Sequence, residues 1–490
     1  MFNEKQRLHF ASAIIDAFQG VKSFILPVFL VFAANGFKIK FNSFESIVEW
    51  ISTLVILAIF LIAIVHAIIK WLTFTYWIEE GELKTEYGLF AKSKRYVPIE
   101  RIQSLNYHEG IIHRLFKLQQ VSVETAGGSD KGAEVVLSAI SKEVAQHFEI
   151  KINALRQHQY VVDGDVDLGL NVYDNIIYKI TDKNLILHAT TSNGTGVVLA
   201  SIFALITQLI EYIPEDILSK QFSFLKHFAF IAIIVMILFA ILIAWSASVV
   251  MSYLAYYNFT LTKSNGQIEI TRGLIEKRKI TIPIAKIQAV KIIESPIRQL
   301  IGYAQVAIEI ASGSLTTSNE KKVMLLPFIK KNQIEDILLS INSPLYASAQ
   351  EMIKSPKQAR PLFYRKYVWI GIPIIVGLSI FVSSYFSLLT VLLLALLLLA
   401  YYQHKDASFS VGEQRLLLQY RTINRVLMFV ERNKVQAVEF KQTPFQKRQD
   451  LYTPIIHVKG DLGGVKAKVP HQSKEDALKI YYFINREQHL

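Results

Sequence analysis

The chain repeats itself, and the repeat limits its possible folds more than any other feature. Tyr87 to Leu105 (YGLFAKSKRYVPIERIQSL) aligns without a gap to Arg272 to Val290 (RGLIEKRKITIPIAKIQAV), 185 residues further on. Gly88 matches Gly273, Pro98 matches Pro283 and Gln103 matches Gln288. A third copy, Tyr420 to Val438 (YRTINRVLMFVERNKVQAV), follows after a further 148 residues and keeps Gln436, but has Arg421 and Glu431 in place of Gly and Pro. Tandem copies of this length require one structural unit used three times. The register continues downstream, with Ile112-His113-Arg114-Leu115 matching Ile297-Arg298-Gln299-Leu300 and Phe445-Gln446-Lys447-Arg448. Val121-Ser-Val-Glu and Val306-Ala-Ile-Glu then alternate apolar and polar residues, as half-buried strands do. Gly127-Gly128, Ser312-Gly313 and Gly460 fall where a hairpin loop would follow.

Each copy closes on an amphipathic helix pattern. The apolar positions are Val144, Phe148 and Ile152 in the first, Ile334, Leu338 and Ile341 in the second, and Leu478, Tyr481 and Tyr482 in the third. Ser473 stands three residues before Asp476, as a capping residue would. Short strands followed by one terminal helix imply a small barrel or curved sheet plugged by that helix.

Between the copies the chain is apolar. Of 490 residues 52% are hydrophobic and only 19% charged, against about 25% charged in an ordinary soluble chain. Crossing a bilayer takes about 20 apolar residues. Trp50 to Ile69, Leu185 to Ile210 and Phe228 to Val250 carry no charge, and Ser23 to Phe37 forms a weaker candidate behind Lys22. Val368 to Tyr402 is too long for one span and reads as two short helices turning near Ser383-Ser384. The expected fold class is therefore membrane α plus β: six transmembrane helices in three hairpins, each followed by one small β module. Leu8-His9 and Leu187-His188 precede two of the hairpins by similar distances, so the hairpin repeats with the module. The expected boundaries are hairpins at 1–70, 185–252 and 367–402, modules at 71–160, 253–345 and 403–490, an acidic linker at 161–184 and a basic linker at 346–366.

Fifty-three Lys and Arg against 40 Asp and Glu leave a net charge of +13. Lys5, Arg7, Lys70, Arg360, Arg365, Lys366 and Lys405 crowd one end of the expected spans, which places the modules in the cytoplasm. A basic flank beside anionic lipid accounts for the charge without nucleic acid. No removable signal peptide is expected at the N-terminus.

The pattern G-L-x-x-K-x-x-x-x-x-P-I-x-x-I-Q, followed by a short helix and V-x-[IV]-E, resembles the bacterial pleckstrin-homology-like domain. Membrane pair plus domain, repeated along nearly the whole chain, resembles the YdbT family of bacterial membrane proteins. The resemblance implies seven-stranded barrels with a C-terminal helix (pleckstrin-homology-like, PH-like, domains) and a cytoplasmic-membrane location, and no settled activity.

Chemistry is sparse. The absence of cysteine excludes disulfides, thiolate metal sites and Cys nucleophiles. No P-loop, dinucleotide fingerprint, H-E-x-x-H or G-x-S-x-G is present. His108 and His113 have no histidine counterparts in the second copy, where Ile293 and Arg298 stand. Asp163, Asp165, Asp167 and Asp174 are spaced like a calcium loop, but Leu168 occupies the position that needs Gly, which favours a plain acidic linker. Within the spans only His66, Gln208 and Pro27 stand out, thin support for a transport path. The repeated Gln103, Gln288 and Gln436 suit buried amides at a turn.

The repeated cations are the candidate contacts. Lys92, Lys277 and Arg425 coincide, as do Arg101, Lys286 and Lys434, while Lys94 and Lys279 share a strand face with the first set. They suit anionic headgroups or a protein partner. The expectation is a non-enzymatic membrane scaffold, without cofactor, metal or nucleic acid, that binds lipid, peptide or protein or assembles with itself. The alternative is a transport or envelope-defence component with the six helices as a path.

Overall fold

The computed structural model describes residues 2, 4–20, 47–89, 91–125, 134–156, 175–192, 226–264, 266–310, 323–341, 351–381, 389–459 and 464–485. Module 1 comprises β1 (Gln6–Arg7), α1 (Ile47–Thr73), β2 (Thr75–Glu79), β3 (Glu82–Tyr87), β4 (Ser93–Pro98), β5 (Ile102–Glu109), α2 (Ile111–Leu115), β6 (Leu118–Thr125), β7 (Val135–Ser141) and α3 (Lys142–Arg156). Module 2 repeats the series as β8 (Asn175–Lys179), α4 (Asp182–Thr190), α5 (Lys226–Tyr256), β9 (Thr260–Ser264), β10 (Gln267–Arg272), β11 (Lys277–Pro283), β12 (Ile287–Glu294), α6 (Pro296–Leu300), β13 (Tyr303–Ile310), β14 (Val323–Lys330) and α7 (Ile334–Ser340). Module 3 has β15 (Ile353–Lys354), α8 (Arg360–Phe381), α9 (Leu389–Asp406), β16 (Ser408–Val411), β17 (Arg415–Arg421), β18 (Arg425–Glu431), β19 (Val435–Lys441), α10 (Pro444–Lys447), β20 (Leu451–Val458), β21 (Val465–Lys468), β22 (Gln472–Ser473) and α11 (Lys474–Ile484).

The first strand of each module precedes its apolar helices. β1 pairs with β2, β8 with β9 and β15 with β16, all antiparallel. The apolar helices are thus inserted into the module after its first strand, where a hairpin simply followed by a module was expected. Phe2 and Leu8 accordingly bury in the same core as Phe74 and Tyr76, and Ile180 and Leu185 in the same core as Phe259 and Leu261.

The sheets do not close module by module, which corrects the expected seven-stranded barrels. One seven-stranded sheet runs β7-β6-β5-β11-β10-β9-β8 and a second β14-β13-β12-β18-β17-β16-β15, with four-stranded sheets β1-β2-β3-β4 and β19-β20-β21 plus β22 at the two ends. The second half of each module therefore shares a sheet with the first half of the next. An edge strand satisfies its backbone groups equally well with any extended neighbour, and here the neighbour comes from the following copy.

The expected six transmembrane helices in three hairpins are also corrected. Among the described residues, two helices are long and apolar enough to cross a membrane, Leu238–Tyr256 and Lys357–Ile380, and Phe60–Thr73 is a shorter apolar helix. The apolar run beginning at Leu185 starts inside α4, whose Leu185, His188 and Ala189 bury in module 2. In α9, Ala400, Gln403 and Asp406 are likewise buried. In α4 hydrophobicity serves packing of the module, a use that a composition window cannot separate from spanning, whereas in α9 only the C-terminal end buries and Val391, Leu392, Leu394 and Leu398 are exposed. Ser23 to Phe37, Val197 to Ile210 and the Ser383-Ser384 turn lie outside the described residues.

Two features of the repeat have direct backbone causes. Gly88 and Gly273 hold φ of +111° and +106°, and a Cβ would come within 2.2 Å of the Ala91 carbonyl oxygen and 1.9 Å of that of Glu276. No other residue fits such a turn without rebuilding it. In the third copy β17 runs one pair further, to Arg421 opposite Arg425, so the turn begins later and the glycine is dispensable. The repeated glutamine marks a β-bulge: the register shifts between Ile102 and Ser104, Ile287 and Ala289, and Val435 and Ala437. Only Gln288 is buried; Gln103 is half-buried and Gln436 exposed.

Candidate functional site at the module junctions and helix roots

The first junction is polar. β5 meets β11 through Glu109 opposite Lys277, His108 opposite Arg278 and Tyr107 opposite Lys279. Beyond these pairs the ladder gives way to side chains, the Thr281 amide donating to Asn106 Oδ1 at 2.9 Å. Asn106 Nδ2 and Ser104 Oγ donate in turn to the buried carboxylate of Glu124 at 2.6 and 2.7 Å. A cleft of about 350 Å³ opens at this seam, lined by Tyr107, Glu109, Lys142, Glu149, Lys277 and Lys279 among others. Lys142 pairs with Glu109 at 2.8 Å, and Lys279 lies 3.5 Å from Glu149 of module 1 and 3.1 Å from Glu269 of module 2. Burial acts against the Lys279 ammonium, but these two carboxylates prevail and raise its pKa. Burial also lifts the Tyr107 phenol, with Glu149 adding to the effect.

The second junction repeats the charge motif over an apolar seam. β12 meets β18 from Ala289 opposite Val430 to Glu294 opposite Arg425. Leu417 and Phe429 of module 3 enter the core of module 2, and Ala289 of module 2 enters that of module 3. Glu294 holds Lys331 at 2.7 Å and Arg425 at 3.7 Å, matching Glu109 with Lys142 beside Lys277. Lys291 and Glu309 replace Asn106 and Glu124 as a buried ion pair at 2.5 Å.

These contacts place the candidate cations. Lys277, Lys279 and Arg425 lie in the junctions. Lys434 reaches the Ala285 carbonyl of module 2 at 3.4 Å, and Lys286 faces Glu124 across the first seam. Burial lowers the Lys286 pKa, while Glu124 acts in the opposite direction. Lys92, Lys94 and Arg101 of module 1 sit on or beside β4, with exposed side chains, and Lys92 lies 3.4 Å from Glu86. The structure thus separates the eight candidates into five at the seams and three at an open edge.

The expected histidine pair divides as well. His113 is buried, its Nε2 2.8 Å from the Ser138 carbonyl and its Nδ1 accepting from the Gly110 amide, while His108 faces Glu276 at 3.5 Å. No cluster of metal-holding side chains occurs among the described residues. The Asp163 to Asp174 group lies outside the described residues.

The residue matched to His113 is buried and hydrogen-bonded in every copy, and in module 2 it ties the short helix to α4, a role its identity conceals. Arg298 is buried, donating to Thr191 Oγ1 at 3.0 Å, Gln305 Oε1 at 2.6 Å and His188 Nδ1 at 3.0 Å. Gln446 contacts Thr453 Oγ1 at 2.8 Å and His471 Nδ1 at 2.9 Å. Burial, reinforced by Arg298, pushes His188 down to about 3; burial and the nearby Arg365 and Lys366 push His471 down to about 4. His, Arg and Gln share only hydrogen-bonding capacity and length, so the position was visible solely through its place in the repeat.

The β3–β4 turn and its counterparts are tied to the same roots. The Gly88 amide donates to Thr73 Oγ1 at 3.1 Å, the Gly273 and Leu274 amides to the carbonyls of Tyr257 and Leu254 at 2.9 Å, and Gln403 Nε2 to the Thr422 carbonyl at 2.7 Å. Leu274 therefore sits at the last turn of a candidate membrane span, beside Arg114, which donates to its carbonyl. Leu89, Leu274, Ile275 and Ile423 of these turns are exposed, and so are Ile111, Leu115, Ile297 and Leu300 of the neighbouring short helices.

Comparison with known proteins agrees with this architecture. Residues 21–156, 201–344 and 371–488 each match the bacterial PH domain family. Over 502 aligned residues the chain is 34% identical to the UPF0699 transmembrane protein YdbT of Bacillus subtilis strain 168, covering 100% of this chain and 99% of that one. With three bacterial PH domains in series and apolar helices rooted in them, the chain is a membrane protein that belongs to the YdbT-like UPF0699 family.

Proposed function

We propose that the protein is a non-enzymatic scaffold of the cytoplasmic membrane, multi-pass, whose PH-like modules face the cytoplasm and rest directly on the anionic inner leaflet. The observation that carries this reading is the exposed apolar foot at the helix roots of modules 1 and 2, Leu89, Ile111 and Leu115 in the first and Leu274, Ile275, Ile297 and Leu300 in the second, with Ile423 alone at that of module 3. Isolated exposed leucines and isoleucines are ordinary, but a group repeated beside membrane helices marks a contact surface. β2 begins two residues after α1 ends and β16 two residues after α9 ends, too short a tether to lift a module away from the bilayer. In module 1, Lys92 and Lys94 add cations at the root end of β4 near this foot, each worth about 1 kcal/mol beside anionic lipid and screened beyond about 8 Å.

The test uses the full chain in nanodiscs, where its lack of cysteine allows one label at a time. A fluorophore on Leu300→Cys should be quenched by lipids brominated near the headgroup, and one on Leu339→Cys, exposed on α7, should not. Hydrogen exchange of β4 should slow when anionic lipid is added and recover at high salt or in a Lys92→Glu, Lys94→Glu variant. An unquenched Leu300 label, with exchange insensitive to lipid charge, rejects the reading.

A further inference from the structure

The two internal junctions obey one rule. In each, the fifth strand of a module pairs antiparallel with the fourth strand of the next, β5 with β11 and β12 with β18. The registers are the same once the copies are aligned: Glu109 stands opposite Lys277, and Glu294, its equivalent, opposite Arg425. Three modules offer three strands of each kind, and two junctions use two of each. What remains is β4 in module 1 and β19 in module 3. Among the described residues no strand pairs with the outer edge of either.

The unpaired strands carry marks of a missing neighbour. β12 is buried at every position, whereas β19 has no buried residue and Gln436, Ala437 and Lys441 are exposed. Tyr96 of β4 is 54% exposed. Extending the common register to β4 and β19 sets Lys92 opposite Gln442, Arg95 opposite Glu439, Tyr96 opposite Val438 and Val97 opposite Ala437. The position of Arg95 is held by Ile280 and Met428 at the internal seams, and that of Glu439 by Asn106 and Lys291. At this position opposite charges therefore face each other across the strands only in the unused pair. Glu439 is oriented by His457 and Lys441, both at 3.3 Å, and Arg95 donates to the Glu134 carbonyl from an exposed position.

We propose that β4 of one chain pairs with β19 of a second copy, head to tail, forming a third junction of the kind already used twice within the chain. Such a contact is heterologous, so it propagates and gives a closed ring or an open row in the plane of the membrane. The Arg95–Glu439 pair selects this register and disfavours pairing of β4 with a strand that carries Lys291. The inference rests on the strand edges and does not depend on the lipid contact proposed above, since Lys92 and Lys94 lie on the strand face alternate to Arg95.

The full-length protein, reconstituted in bilayers, provides the test. Chains bearing Tyr96→Cys and chains bearing Val438→Cys are mixed and oxidised, and the pair Arg95→Cys with Glu439→Cys is treated likewise. Adjacent opposed pairs alternate in spacing, so one of the two combinations falls within disulfide reach. The expected result is a disulfide dimer that needs both chains, and a ladder of multiples of 55.8 kDa from a single chain carrying both cysteines. In cysteine-free protein, Arg95→Glu or Glu439→Arg alone should lower oligomer mass at a given concentration at least several-fold, and the two together should restore it. Monomers throughout, dimers that form equally from one cysteine chain alone, or exclusive capture of an unrelated protein at position 96 would each overturn the proposal.

Discussion

At the scale of single residues, the helix roots bury histidines that must stay neutral. His188 is 4% exposed, with Arg298 and Arg272 as the charges facing it and the rings of Tyr256 and Phe328 against it. Its folded pKa of about 3 lies below the unfolded value of about 6.5, so the unfolded chain takes up a proton first as the pH falls. Stability is complete above about 6.5 and is lost progressively below it, by up to about 1.4 kcal/mol per pH unit for this one proton. Thermal unfolding of the detergent-solubilised chain should show a falling transition temperature between pH 6.5 and 4. His188→Gln, which keeps an acceptor for Arg298 but does not titrate, should flatten that slope. His113 and His471, also lowered by burial, leave a residual slope of the same sign.

At the scale of elements, the fifth strands of the three modules differ in what holds them. β12 carries the ion pair of Lys291 and Glu309, with side chains only 6% and 5% exposed. Removing one partner strands a buried charge, at a cost of about 3–5 kcal/mol, whereas replacing both by apolar residues of similar volume is close to neutral. Lys291→Met should therefore lower the chemical-denaturation midpoint of module 2 sharply, and Lys291→Met with Glu309→Leu should recover most of the loss. Equal damage from the single and double variants would mean that packing, and not charge, dominates this seam. The matched pair in β5 and β6 is Asn106 with Glu124, and that in β19 and β20 is Glu439 with His457, so one strand position carries three different electrostatic solutions.

At the scale of the whole molecule, the two junctions are unequal, and truncation should expose the difference. The second buries Leu417 and Phe429 in the module 2 core, while the first rests on three backbone-paired positions and polar side chains. A chain ending at residue 345 loses β18 and uncovers β12 along an apolar edge. A chain starting at residue 161 loses β5 and uncovers only the polar side of β11. The first truncation should aggregate and unfold at a clearly lower temperature than the second, each compared with the intact protein in the same detergent. An equal effect would place the stabilising contacts elsewhere.

Much of this was determined by the sequence alone. The period of the repeat, the strand alternation through Val121 to Glu124 and Val306 to Glu309, and the closing helices specify one small β unit used three times. Gly88 and Gly273 specify its turn, because only glycine accepts that φ. What the sequence left open was which strands are neighbours. Alternation assigns side chains to faces, but pairing along an edge runs through backbone groups that every residue shares, so Tyr107 reads the same whether it meets its own module or Lys279 of the next. The same limit hid the strands before the apolar helices, two residues long in modules 1 and 3 and five in module 2, too short to show a period. It also hid the fate of the cations. Lys92 and Lys277 occupy one place in the repeat, yet one lies at an open edge and the other in a seam, because only the tertiary structure supplies a following module.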